Sequence, residues 1–257
     1  MGSGEEESRA TATELALNES GPWQPVPATI SGYIQNLETN ALLEFAARHR
    51  TVVRFERSVG EFVTDGEPLF SVRLSGPPKQ EWITQLNRLA GIQSYRTVGQ
   101  DPGFGIRLIV DIALKALSPG INDPTTATNC IDHLGRILRV LVRRRIPAPF
   151  RYQGRELCVI ARGPTFERLV DRMFHEIRQN ARGSVAVFLS LLRIIEKVAA
   201  PDLMAARRQV LWKHVRLIAE QAAQHISIPH DRHVIEVAVH DVARKLGEHY
   251  AQQPLLV

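Results

Sequence analysis

The sequence predicts an α+β fold that is mostly helical, in which a small β barrel-sandwich-like N-terminal part precedes an α-helical bundle with a short β-hairpin. Apolar residues alternate and glycines mark turns between residues 52 and 72, whereas beyond residue 80 apolar residues mostly recur every three or four positions. The composition, 44% hydrophobic and 23% charged, is that of a globular protein with a buried core. We therefore expect a β-rich subdomain over residues 28–75 and a helical domain over 80–250 that includes a hairpin near 150–162.

The first residues of the chain carry no targeting signal. Residues 1–20 have neither the basic start nor the apolar run of a signal peptide. We expect residues 1–27 to be a flexible leader, either native or a remnant of expression. The longest apolar neighbourhood, Val185–Leu192, is interrupted by Ser190 and falls short of the roughly 20 residues that a membrane-spanning helix needs. No part of this chain is therefore expected to cross a bilayer.

The N-terminal part begins with a strand over residues 31–38, a helix over 39–50 and a second strand over 51–58. Glycines and apolar residues then recur every third position, at Gly60, Val63, Gly66, Leu69 and Val72. This spacing resembles the hairpin of biotinyl and lipoyl barrel-sandwich domains, in which glycine supplies the positive φ of the turns and the apolar residues share a core. The lysine-bearing tip that carries biotin or lipoate is absent from the sequence, so a structural barrel without a cofactor is predicted.

Helices follow the breaker at residues 75–79. One is predicted over residues 104–117, and its apolar face is predicted to comprise Leu108, Ile109, Ile112, Ala113 and Ala116. The next helix is expected to begin at Asp123 and Pro124 and to run to about residue 144, because a side-chain oxygen can cap free amides and proline fits the first helical position.

The helical domain is interrupted by one predicted β-hairpin, which turns at Gln153 and Gly154. Three further helices are expected to follow Thr165, Ser184 and Asp202, and a last one covers residues 235–246.

Charge and cysteine content limit the surroundings of the protein. The net charge is +5, and basic residues cluster in two places, Arg136, Arg139, Arg143, Arg144 and Arg145, and then Arg207, Arg208, Lys213 and Arg216. Such clusters are either solvated helix faces or contacts to an anionic lipid surface. They lack interleaved aromatic residues, so no nucleic acid is expected as a partner. Cys130 and Cys158 lie among apolar residues, which favours buried thiols in a reducing compartment.

The segment from Arg96 to His133 contains the most informative polar residues. They are Arg96, Gln100, Asp101, Arg107, Asp111, Ser118, Asn122 and Asp123. Arg107 and Asp111 are four residues apart and so are neighbours on one helix face. Two interpretations stay open. These residues form a polar network that pins the helices and their turn, or they form a ligand-binding or subunit-contact surface.

Catalytic and metal-binding patterns are weak. Asp132 and His133 are adjacent, so on a helix they point about 100° apart and the carboxylate cannot readily orient the imidazole. His225, His230 and His233 form the densest histidine cluster, which is also what helix ends and surfaces commonly carry. We therefore predict no catalytic residue and no metal site, and we lean against an enzyme.

Three stretches of the sequence resemble a bacterial family of predicted membrane proteins, domain of unknown function 2254. They are SGYIQNLE, GEFVTDGEPLF and RTVGQDPGFGIRLIVDIALKALSPGINDPTTATNCIDHLG. The resemblance implies a set of N-terminal transmembrane helices followed by a soluble region, to which residues 28–250 would correspond. It also implies that this chain lacks its own transmembrane segment, and truncation is the explanation that we expect.

Two functions are expected from these observations. The first is a non-enzymatic extramembrane domain of a bacterial inner-membrane protein, on the cytoplasmic side, acting in homo-oligomeric assembly and in signalling or in channel or transport regulation. The second is an anionic small-ligand sensor or enzyme that uses the polar residues from Arg96 to Asp123.

Overall fold

The computed structural model describes residues 21–161, 163–200 and 202–250. It confirms the α+β, mostly helical class, with about 51% of the described residues in helices and 16% in strands. The chain divides into two compact units. The first takes in the chain up to Phe104 together with Pro147–Pro164, and the second takes in Gly105–Ile146 and the chain from Thr165 onward.

Within the described residues, the first unit contains two open sheets and two whole helices. Its strands are β1 Trp23–Pro27, β2 Gly32–Leu37, β3 Val53–Phe55, β4 Phe62–Val63, β5 Pro68–Arg73, β6 Ala90–Gln93, β7 Phe150–Gln153 and β8 Glu156–Ala161. Its helices are α1 Thr39–Arg48 and α2 Gln80–Asn87. One sheet has the order β1-β5-β3-β8-β7, in which only the β3–β8 pair is parallel, and the other has the antiparallel order β4-β2-β6.

The repeating glycine and apolar pattern contributes to the core of this unit. Val63, Leu69 and Val72 are fully buried, and Gly60 and Gly66 have φ values of +90° and +86°. Neither sheet closes into a barrel, which differs from the barrel-sandwich-like expectation. The physical reason is that β4 pairs with β2 whereas β5 pairs with β1 and β3, so the two strands of the expected hairpin belong to different sheets.

The boundaries of the first unit differ from those expected. The hairpin near residues 150–162 was expected within the helical domain, but Val53 of β3 pairs with Val159 of β8, which adds the hairpin to the sheet of the first unit. Trp23–Pro27, expected at the end of a leader, is strand β1 and pairs with β5. The remainder of the expected leader, residues 1–20, lies outside the described residues.

The second unit is helical. Its helices are α3 Pro102–Ala116, of which the residues up to Phe104 belong to the first unit, α4 Pro124–Leu141, α5 Phe166–Asn180, α6 Val185–Glu196, α7 Ala205–His225 and α8 Pro229–Leu246. One apolar core joins them, and Phe174 and Phe188 are among its largest fully buried side chains. Within the described residues, none of these helices has the length and hydropathy that crossing a bilayer requires.

Candidate functional site

The buried carboxylate of Asp101 is the centre of a polar cluster in the first unit. Asp101 is 5% exposed, its Oδ2 accepts a hydrogen bond from Nε of Arg96 at 2.7 Å, and the same oxygen forms an ion pair with Nη2 of Arg96, also at 2.7 Å. Its Oδ1 accepts from the backbone N–H of Phe104 at 3.0 Å, which caps the start of α3. The Arg96 guanidinium also lies over the Phe104 ring, 4.9 Å from its centroid. Both carboxylate oxygens are therefore occupied by protein donors.

Gly60 completes this cluster because only a residue without a side chain fits there. A Cβ at Gly60 would lie 2.0 Å from Oδ2 of Asp101 and 2.7 Å from Nη2 of Arg96. Nearby in the sequence, Oε1 of Gln100 accepts a hydrogen bond from the Leu37 backbone at 3.2 Å. The cluster thus connects the loop before β4 with the segment before α3, and its contacts are those of a structural network.

Arg107 is paired with two carboxylates in the second unit. Its Nη2 lies 2.5 Å from Oδ1 of Asp111 on the same helix, and its Nη1 hydrogen bonds with Oε1 of Glu176 on α5. The hydrogen bond that Arg107 donates to Asp111, followed by the one that it donates to Glu176 and by the charge of Glu176, raises the pKa of Arg107 above its ordinary value. The Asp111 contact is the one predicted from the spacing. Glu176 was not predicted, since it is 69 residues away in the sequence.

The turn between α3 and α4 is built from Ser118, Asn122 and Asp123. Oδ1 of Asp123 accepts from the Thr126 backbone at 3.0 Å, and Oδ2 accepts from the Thr126 hydroxyl at 2.5 Å, which confirms the predicted cap. The hydrogen bond from the Thr126 hydroxyl lowers the pKa of Asp123. Asn122 takes a φ of +45°, and its backbone N–H and the Ser118 hydroxyl bond within the turn, to the carbonyls of Ser118 and Lys115.

The structure thus divides the eight predicted polar residues between the two units. Arg96, Gln100 and Asp101 lie in the first unit, and the other five lie in the second. The contacts described above are of the kind that a structural polar network contains, and they form separate groups in the two units. A ligand-binding role for these residues stays a prediction.

The apolar face predicted for α3 is correct for Ala113 and Ala116 and wrong for Leu108 and Ile112. The residues that pack into the core are Ile106, Val110, Ala113 and Ala116, and Leu117 follows them. Leu108 and Ile112 instead lie on the outer side, 45% and 54% exposed, and Ile121 in the following turn is 52% exposed. This helix is apolar on two sides, of which the core covers one. The exposed residues Leu108, Ile112 and Ile121 are called the α3 apolar surface below.

A second polar cluster, between α5 and α7, was not predicted. His214 is 1% exposed, its Nε2 lies 2.8 Å from Oδ1 of Asp171, and its ring packs on Phe174 with 4.9 Å between centroids. Burial lowers the pKa of His214 to about 4, because the neighbouring Asp171 offsets only part of the cost of burying a charged ring. Lys213 also pairs with Asp171, at 2.8 Å, so the carboxylate has a cation beside it when the imidazole is neutral.

Two helical turns further along, Arg178 and Gln221 form the second layer of this cluster. The guanidinium donates to Oε1 of the Gln221 amide, whose Nε2 donates to the Gln179 carbonyl at 3.3 Å. Nε of Arg178 and Nδ1 of His214 are buried without a hydrogen-bond partner among the described residues. Asp171 and Arg178 are seven residues apart on α5, and His214 and Gln221 are seven residues apart on α7. This matched spacing of polar residues is the signal in the sequence that could have predicted the cluster.

The histidines near the C-terminus were considered as metal ligands, and no metal site was predicted there. No group of three or more histidine, cysteine, aspartate or glutamate side chains within the described ranges could hold a metal ion. His133 and His175 are exposed, and Nε2 of His175 lies 3.1 Å from Nε2 of the Gln179 amide.

The chain is similar to one protein family and to uncharacterized mycobacterial proteins. A family model described as a predicted membrane protein, DUF2254, matches residues 2–197. Uncharacterized proteins of Mycobacterium tuberculosis, strain CDC 1551, and of Mycobacterium bovis are each 30% identical to this chain over 236 residues. The match covers 89% of this chain and 45% of each relative, so the chain spans less than half the length of these curated relatives. No solved structure matches.

Proposed function

The chain belongs to the DUF2254 family of predicted membrane proteins, and from this membership we propose that it is a non-enzymatic extramembrane domain that assembles a bacterial membrane protein into a homo-oligomer. The observation that carries the proposal is the α3 apolar surface. Clusters of exposed apolar side chains are costly in water and commonly mark contacts between proteins.

The helix α3 is held in place by the rest of the second unit, so its apolar surface is rigid. The opposite side of the helix packs into the core of the second unit through Ile106 and Val110. Arg107, which lies between the two sides, is held by Asp111 and by Glu176 of α5. Such a fixed helix loses little conformational freedom when it binds a partner.

The partner that we propose is a second copy of this chain. Leu108 and Ile112 are equally far in sequence from Val110. In an antiparallel pair of α3 helices around a twofold axis opposite Val110, Leu108 of each copy therefore faces Ile112 of the other. A contact of this kind is self-complementary, as closed dimers require. The half-buried Ile109 and Gly105 adjoin the same surface, and glycine allows the close approach of a second helix.

Light scattering coupled to size exclusion tests the proposal. The unchanged chain should have the mass of a dimer or of a larger defined oligomer, and the double variant L108E/I112E should be a monomer. The control is Val237→Glu, which places a single glutamate on an exposed apolar residue of α8 and should leave the mass unchanged. A monomeric unchanged chain at high concentration, or an L108E/I112E variant with unchanged mass, would refute the assembly role.

The location that we propose is the cytoplasmic side of the inner membrane. There the assembled domain would act in signalling or in the regulation of a channel or transporter. Two observations support the location. Cys130 and Cys158 are buried free thiols, which suit a reducing compartment. The exposed Arg136 and Arg139 of α4 are the second, because the anionic lipids of the cytoplasmic leaflet attract basic residues.

The alternative, a sensor or enzyme for a small anion, has less support. An anion-binding arginine needs free donors, and the guanidinium groups of Arg96 and Arg107 already bind the carboxylates of Asp101, Asp111 and Glu176. A bound anion would have to share these guanidinium groups with carboxylates that already neutralise their charge.

A further inference from the structure

We propose that the C-terminal half of α4 and the turn that follows it form a docking surface for an anionic membrane. The surface consists of four exposed arginines, of which Arg136 and Arg139 lie on α4 and Arg143 and Arg144 lie in the turn that follows it, and it is called the arginine face below. The proposal does not depend on the assembly role of α3, because it rests on a different helix and on charge.

The structure separates the two basic clusters of the sequence. In the second cluster, Arg207 donates to the carbonyl oxygens of Leu141, Val142 and Arg144, with its Nη2 2.8 Å from the last. Its neighbours in the cluster, Lys213 and Arg208, pair with carboxylates of the protein. That cluster is largely part of the fold.

The arginine face has no such internal partners. None of its four side chains forms an ion pair with a carboxylate in the described part of the chain. The next arginine, Arg145, makes an interaction of its own and is not counted. Asp132, one turn before Arg136, is the single acidic residue of α4. Four positive charges therefore remain to be balanced from outside the protein.

The carbonyl oxygens at the end of α4 would ordinarily attract these arginines. Arg207 occupies them instead, so Arg143 and Arg144 are not needed as caps. The guanidinium of Arg207 is itself desolvated by burial, which lowers its pKa, and it lies over the Phe166 ring with 5.2 Å to the centroid. Capping by a residue from α7 thus leaves the basic end of α4 free for a partner.

The geometry of α4 fits a flat, negatively charged surface. Positions 136, 139 and 140 lie within about 100° of arc on the helix, whereas Leu134, Leu138 and Leu141 are buried on the opposite side. Val140, between the arginines, is 61% exposed. An apolar residue flanked by arginines can enter the boundary between headgroups and acyl chains while the guanidinium groups bind lipid phosphates.

Vesicle co-sedimentation of the purified chain tests this proposal. The chain should bind vesicles containing about 30% phosphatidylglycerol in about 0.1 M salt, bind much less in about 0.5 M salt, and bind phosphatidylcholine vesicles hardly at all. The triple variant R136Q/R139Q/R143Q should bind about a hundredfold more weakly, since each arginine near an anionic surface contributes about fivefold.

The matched control is the triple variant R48Q/K79Q/R88Q. It removes three exposed basic residues of the first unit and lowers the net charge from +5 to +2, as the arginine-face variant does. It should bind anionic vesicles nearly as well as the unchanged chain. Far-ultraviolet circular dichroism of both variants establishes that they fold.

Three results would overturn the proposal. One is that the unchanged chain fails to bind anionic vesicles. Another is that both triple variants lose binding equally, which would make net charge the cause. The third is that duplex DNA competes for the arginine face at lower concentration than anionic lipid does, which would make the partner a nucleic acid. Failure of any of these kinds leaves the assembly test untouched, because the arginine-face variant keeps Leu108 and Ile112.

Discussion

Nε2 of His214 lies 2.8 Å from Oδ1 of Asp171 in the core of the second unit, although burial lowers the pKa of the imidazole to about 4. The ring is therefore neutral at pH 7 and is hydrogen bonded to a carboxylate. Burial alone would raise the pKa of Asp171, but hydrogen bonds and charge from Lys213 and His214 lower it. The pair thus makes the stability of this unit dependent on pH.

Stability should fall as the pH drops below 6.5. The pKa of His214 is near 6.5 in the unfolded chain and about 4 in the folded chain. Protonation therefore favours unfolding between these values, and from pH 8 to pH 5 the free energy of unfolding should decrease by about 2 kcal/mol. Below its ordinary value of 3.8, protonation of Asp171 should remove a further contribution. Urea unfolding at pH 8, 6 and 5 measures this dependence. The variant His214→Leu should flatten the curve between pH 6.5 and pH 5, and an unaltered slope would assign the dependence to other groups.

Gly60→Ala should destabilise the first unit much more than Gly66→Ala. Both glycines have a positive φ, which costs alanine about 1 kcal/mol or more. Only at Gly60 would the added methyl also collide with Asp101, whereas nothing lies within 4 Å at Gly66. We expect a loss of more than about 2 kcal/mol at Gly60. Thermal unfolding of the two variants measures the difference, and equal losses would show that backbone strain alone matters.

Asp101→Asn should cost more stability than Asp111→Asn. Asp101 is buried and binds Arg96 and a backbone amide, so its neutralisation leaves the partly buried guanidinium without its counter-charge, at a cost of about 2 kcal/mol. Asp111 is half exposed, and Arg107 keeps Glu176 after its loss, so less than about 1 kcal/mol is expected. Denaturant unfolding compares the two. A larger loss for Asp111→Asn would contradict the structural role assigned to Asp101.

Gln221→Leu should be destabilising alone and nearly neutral together with Arg178→Met. The single change removes the acceptor of a buried guanidinium, which costs about 3 kcal/mol, whereas the double change replaces both polar groups by apolar ones of similar size. Unfolding free energies of the two single variants and the double variant give the coupling. Additive losses would show that the amide and the guanidinium do not depend on each other.

Local patterns predicted several elements correctly. Val63, Leu69 and Val72 are buried as their spacing predicts, and Asp123 caps α4 as its place before Pro124 predicts. Arg107 and Asp111 pair as neighbours one turn apart. Each of these features depends on residues within a few positions of one another, where backbone geometry determines which groups meet.

Other features depend on contacts between distant segments. The helix α3 carries apolar residues on two of its sides, so the periodicity of the sequence alone cannot decide that Val110 is buried and Ile112 exposed. The pairing of β3 with β8 and the contact of Arg107 with Glu176 join segments that are far apart in the sequence.

The sequence by itself determined the mixed, mostly helical class, the capped turns and the basic clusters of this protein, because these follow from composition and from interactions between neighbouring residues. Only the tertiary structure decided which side of α3 is exposed, which arginines lack a partner and how deeply His214 is buried. These depend on which surfaces of distant helices cover one another, since burial removes water and thereby sets the cost of every charge.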